Sequence, residues 1–96
     1  MNKPTALKGE ALRAQHANAP GWEVVNDHHI HKAFKFPDFL KALAFVNRVG
    51  AVAEEQGHHP DILFTWGKAE ISVYTHSIDG LSEADFTLAA KIDQVL

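Results

Sequence analysis

His58 and His59 stand side by side between Gly57 and Pro60, and His76 follows a run of alternating apolar residues. Imidazole titrates near neutrality, so three such rings suit proton transfer or metal ligation at ambient pH. Proline biases the residue before it toward extended backbone, and Gly57 is free to kink. The two neighbouring rings are therefore released from the opposite-face rule of a regular strand. Glu54 lies one helical turn before His58, and Asp85 opens the last helical segment. A carboxylate beside an imidazole favours its imidazolium form and orients it. His28, His29 and His31 make a second cluster, and His16 stands alone. Zinc asks for three or four converging ligands. No acid or cysteine with suitable spacing joins that second cluster, so no metal is expected.

Each of these residues also has a plain reading. A histidine in a loop is most simply a solvated surface residue, and Glu54 a solvated helix residue. Asp85 is the acid expected of a helix capping box, a role compatible with catalysis. Trp22 and Trp66 read first as core or sheet-face aromatics.

The elements that must hold these residues follow from periodicity. Thr5 to His16 reads as a helix with Thr5 as N-cap and Leu7, Ala11 and Leu12 on one side, stopped by Ala19-Pro20-Gly21. Trp22 to Asn26 and His29 to Phe36 read as two strands joined by a turn at Asp27-His28, with Ile30, Phe34 and Phe36 sharing a face. Pro37-Asp38 opens the longest helix, with Phe39, Ala42, Leu43, Val46, Val49, Gly50 and Ala53 on its apolar side and Gly57 as its stop. Asp61 to Trp66 and Ala69 to Thr75 alternate as a hairpin about Gly67-Lys68, leaving His76 at the end of the fourth strand. Hairpin pairing brings His76 opposite the His58–Pro60 entry. In the last helix, Ser82 and Asp85 fit a capping box, Leu81 and Phe86 a hydrophobic staple. The fold expected is α+β: a two-layer sandwich of one four-stranded antiparallel sheet with three helices packed on one face, in the order α-β-β-α-β-β-α.

With 96 residues, one domain spanning 1–96 is expected. A hydrophobic fraction of 46% argues against disorder, and a net charge of −3 disfavours nucleic acid as a partner. The absence of cysteine removes disulfides, thiolate zinc sites and cysteine nucleophiles. No secretory signal and no apolar run near the roughly 20 residues of a membrane helix is visible, so a soluble cytoplasmic protein is expected. Two open sheet edges invite pairing with another chain, so at least a dimer is expected.

The set Glu54-x-x-x-His58-His59-Pro60, five residues, Trp66, nine residues, His76, eight residues, Asp85 resembles the signature of the pterin-4a-carbinolamine dehydratase family. The likeness extends through Gly21-Trp22, Phe34-Lys35-Phe36, Asp38-Phe39, Arg48 to Glu54, Thr75-His76 and Gly80-Leu81-Ser82. It covers Ala19 to Val95. What it implies is a cofactor-free hydro-lyase that removes water from a 4a-hydroxytetrahydropterin to give a quinonoid dihydropterin. It also implies the same α+β fold and a homodimer or homotetramer. By this resemblance His58 and His76 donate protons to the departing hydroxyl, and His59 positions the pterin and serves as base at N5. Asp85 orients a histidine, Glu54 supports from further out, Pro60 shapes the His59 backbone and Trp22 packs on the flat pterin ring. Ala84 departs from the pattern, because several family members carry arginine before the aspartate; substrate affinity is where that would tell. The rival reading is a regulatory or assembly protein on the same fold, as in animal members that act as dimerisation partners of a homeodomain transcription factor. Keeping His58, His59 and His76 together favours the enzyme.

Overall fold

The computed structural model of the chain describes residues 5–96. Helix α1 (Gly9–His16) leads into strands β1 (Glu23–Val25) and β2 (His29–Lys35). Helix α2 (Phe39–Gln56), strands β3 (Asp61–Thr65) and β4 (Lys68–Val73), a 3₁₀ turn (His76–Ile78) and helix α3 (Glu83–Gln94) follow. The four strands form one antiparallel sheet in the order β1-β2-β4-β3. The order and architecture are those expected from periodicity.

Alternation along the strands sends Ile30, Phe34, Ala69, Ile71 and Val73 to the inner face, where α2 and α3 cover them. Phe45, Val49, Phe86, Leu88 and Ile92 fill the space between sheet and helices. Phe45 is fully buried and touches both Phe34 and Phe36, although the apolar stripe read from the sequence passes it by. Phe39, read as part of that stripe, is 52% exposed and stacks on Phe64 at the sheet's edge. The first turn of α2 overhangs the sheet, so its period no longer reports the core.

Several boundaries differ from the sequence reading. The β3–β4 turn falls at Trp66-Gly67 and not at Gly67-Lys68, because Thr65 pairs with Lys68 across the hairpin. Helix α1 starts at Gly9, so Thr5 caps nothing. Gly9 has φ +52°, which a continuing right-handed helix cannot use, and the Leu7 N–H donates instead to the Leu81 carbonyl at 2.8 Å. The β1–β2 turn is centred on Asn26 and Asp27, with φ of +52° and +53°, one residue earlier than expected. Asn and Asp tolerate the left-handed pair that a tight hairpin of this hand uses. Strand β4 ends at Val73, because the Thr75 N–H turns to the Gly80 carbonyl at 2.8 Å and closes a small loop. His76 therefore opens a 3₁₀ turn and does not extend the strand.

Two local features of the fold decide where the site lies. Asp38 caps α2 at its start by accepting from the Lys41 N–H at 2.8 Å. At its other end Gly57 takes φ +63°; its N–H donates to the Glu54 carbonyl, and the His58 N–H donates to the Ala53 carbonyl. This is a Schellman ending, and it throws the chain back so that His58 leaves over the last helical turn. At the start of α3, Ser82 and Asp85 form the expected capping box, with Leu81 and Phe86 buried beneath it.

Candidate active site

The antiparallel register puts Asp61 opposite Ser72, so the entry to β3 and the exit from β4 share one end of the sheet. The N-terminus of α3 closes on that end. A cleft of about 260 Å³ opens there, lined by Gly57, His58, His59, Tyr74, Thr75, His76 and Ser77. All three histidines of the spaced set thus border one cavity.

His58 is the most enclosed of them, its side chain 17% exposed. Its Nε2 meets Asp85 Oδ1 at 2.5 Å, and Asp85 is completely buried. The other carboxylate oxygen, Oδ2, accepts from the Ser82 N–H at 2.8 Å and from the Thr75 hydroxyl at 2.9 Å. Thr75 Oγ1 also lies 2.7 Å from Ser82 Oγ. A hydroxyl has one proton to give. Thr75 spends it on Asp85, so the Ser82 hydroxyl must donate to Thr75 while itself accepting the Asp85 N–H of the capping box. The donor order runs from Ser82 through Thr75 to Asp85 and leaves Asp85 as an acceptor. His58 then holds one proton on Nε2 toward Asp85, and Nδ1 is the ring nitrogen left to take up and give a second one.

His59 is held differently. Its Nε2 contacts Glu54 Oε2, one helical turn back, and both side chains stand mostly in solvent. His76 is exposed and, among the described residues, no side-chain hydrogen bond fixes its ring. It lies flat against Tyr74, with ring centroids 4.2 Å apart and planes 16° from parallel. Among the described residues no group of three or more histidine, cysteine, aspartate or glutamate side chains could hold a metal ion.

Not every residue singled out in the sequence reaches the cleft. Trp22 does not pack beside it. Its ring is 1% exposed, set edge-on to Phe34, with Nε1–H donating to Asp93 of α3 at 3.2 Å. An enclosed ring offers a flat ligand no free face. Trp66 is 68% exposed at the far end of the β3–β4 hairpin. Pro60 sits behind His59 as β3 begins and sets the backbone without lining the cavity. His16, which stands alone in the sequence, binds the Trp22 carbonyl through Nε2. Conversely, Tyr74 and the hydroxyls of Thr75 and Ser82 belong to the site and went unassigned. In the sequence Ser82 reads as a helix cap and, like Thr75, as a position of the family likeness, and Tyr74 falls inside the alternating run Ala69 to Thr75.

The model of the family described as pterin 4 alpha carbinolamine dehydratase matches residues 5–95. The chain belongs to that family. A Rubrobacter xylanophilus protein carrying the family's name is 60% identical over 93% of this chain and 83% of its own length. Other bacterial proteins so named match over 64–66% of their length. Among solved structures, a Brucella melitensis protein described as a transcriptional coactivator/pterin dehydratase superimposes with a TM-score of 0.87 at 27% identity, covering 95% of this chain and 98% of that one. A pterin dehydratase-like protein described as a RuBisCO assembly factor of the alpha-carboxysome gives a TM-score of 0.68 at 26% identity, over 78% of this chain and 88% of that one. Pterin dehydratases and their relatives thus share the sandwich described above.

Proposed function

We propose that this chain catalyses the dehydration of a 4a-hydroxytetrahydropterin to the quinonoid dihydropterin by histidine general acid and base catalysis. The observation that carries the reading is the convergence of His58, His59 and His76 on one cleft, with His58 anchored on the buried Asp85. In the reaction the C4a–O bond breaks and the hydroxyl leaves as water after receiving a proton. The proton on N5 departs and a C4a=N5 double bond forms. No electrons enter or leave, so the step asks only for groups that give and take protons near neutral pH.

His58 and His76 are assigned as donors to the departing hydroxyl, and His59 as the group that positions the pterin and receives the N5 proton. Asp85 holds His58, and Glu54 steers His59 from the surface. Positioned proton transfer is typically worth about 10²–10⁴-fold. Replacing His58, His59 and His76 singly by Ala should lower the dehydration rate, by about 10²-fold for the strongest. Unchanged rates in all three would sink the assignment.

A second reading, a regulatory or assembly protein, is favoured by the likeness to the carboxysome assembly factor. Absence of turnover by the intact chain, together with capture of a specific protein partner, would select it. Under either reading the chain pairs with a second copy: β1 and β3 leave open edges, and Leu63 and Trp66 stand exposed on β3 and the turn after it. Sedimentation as a monomer at micromolar concentration would contradict the pairing.

A further inference from the structure

The two histidine groups of the sequence meet in space. Tyr74 stacks on His76 and also packs against His28, whose ring is tilted by 39°, at centroid distances of 4.2 Å and 4.4 Å. Strands β2 and β4 explain this. Their last registered pair is Ile30 with Val73, so the chain just beyond each strand brings His28 and Tyr74 to the same end. The tight turn at Asn26 and Asp27 delivers His28 there. Its Nε2 bonds Asp79 Oδ1 at 2.8 Å, and Asp79 is the residue that ends the 3₁₀ turn begun by His76. One short turn therefore links the two contacts of the tyrosine, with His76 at its start and Asp79 gripping His28 at its end.

We propose that Tyr74 is a positioning residue for His76, and that His28, held by Asp79, braces Tyr74 in turn. His58 and His59 each rest on a carboxylate, whereas His76 rests on this aromatic stack. Among the described residues the Tyr74 hydroxyl makes no hydrogen bond, so the ring face and not the phenol does the holding. Stacked rings restrict each other's tilt, and small misplacements of a proton donor cost rate steeply. The inference rests on the dehydratase reading for its kinetic consequence but not for its geometry.

The test is a double-mutant cycle on dehydration, with NMR of the His76 ring protons alongside. Tyr74→Leu should lower kcat about tenfold with KM nearly unchanged, Tyr74→Phe should restore it, and the loss should vanish in a His76→Ala background. His28→Ala leaves the cleft lining intact and should produce a smaller loss, about threefold, that also vanishes in that background. This second variant decides the matter if Tyr74→Leu does not fold. A raised KM with unchanged kcat, or a loss that persists without His76, overturns the proposal. If the wild type shows no turnover, the dehydratase reading fails and the NMR decides the positioning. Tyr74 ring-current shifts on His76 that disappear in Tyr74→Leu and survive in Tyr74→Phe support it; resonances indifferent to both variants overturn it.

Discussion

His58 and His59 are adjacent, and each touches a carboxylate through Nε2, yet the two pairs are different physical objects. His58 and Asp85 are 17% and 0% exposed, and the carboxylate is saturated by two further donors. His59 and Glu54 are 62% and 77% exposed and face water. In the first pair a lost partner leaves a buried acceptor with nowhere to turn. In the second, water replaces whichever partner is removed. Asp85 also serves two structures at once, since Oδ2 closes the N-terminus of α3 while Oδ1 orients a cleft histidine.

The sharpest way to break this comparison is Asp85→Ala. It removes the acid half of the capping box and orphans Thr75 and His58 together, so a loss of about 3–5 kcal/mol is expected in urea unfolding. A loss below about 1 kcal/mol would mean that the buried network does not hold the fold. Next in size is His58→Ala, which leaves the buried carboxylate one donor short and should cost about 1–3 kcal/mol. His59→Ala should stay within about 0.5 kcal/mol of wild type while still slowing dehydration. Equal destabilisation by the two histidine variants would erase the distinction. Glu54→Gln should change stability by less than about 1 kcal/mol. Raising salt to about 1 M should move wild-type rates toward those of that variant, because an exposed pair is screened and the His58 pair is not.

The smallest expected effect concerns His29, outside the cleft. Burial first, then the neighbouring His28 and His31, holds its imidazole below the ordinary value of 6.5, while Asp61 and Glu23 pull the other way. The unfolded chain then binds the proton more readily than the folded one. Stability from this group is complete above 6.5 and is lost as pH falls below it, toward the lowered folded value. His29→Asn should flatten the pH dependence of the urea midpoint between about pH 7 and pH 5.5; a slope as steep as in wild type would exclude this source.

The readable parts of the fold were those with local causes. Alternation in β2 and β4 identified the inner face, and Asp38, Gly57 and the Ser82–Asp85 box marked helix ends because capping needs only a few successive residues. Phe45 escaped because a seven-position stripe on an 18-residue helix tolerates several rotations. Trp22 was misplaced for a related reason: an aromatic beside a turn looks the same whether its partner is a ligand or, as here, Asp93 across the molecule. Tyr74, whose partner His28 lies far away in the sequence, carried no local signal, and Thr75 entered only through the family likeness.

By itself the sequence determined the order of elements, the ends of α2 and α3, and which histidines have the spacing for proton transfer, since each depends on period, capping chemistry or a short motif. Only the tertiary structure decided how each histidine is held. Whether a carboxylate is a weak surface partner or a saturated anchor depends on burial, and burial is set by what the rest of the chain packs above it. The same holds for His28. In the sequence it sits with His29 and His31 on a separate hairpin, 48 positions from His76, and the pairing of β2 with β4 sets both against Tyr74.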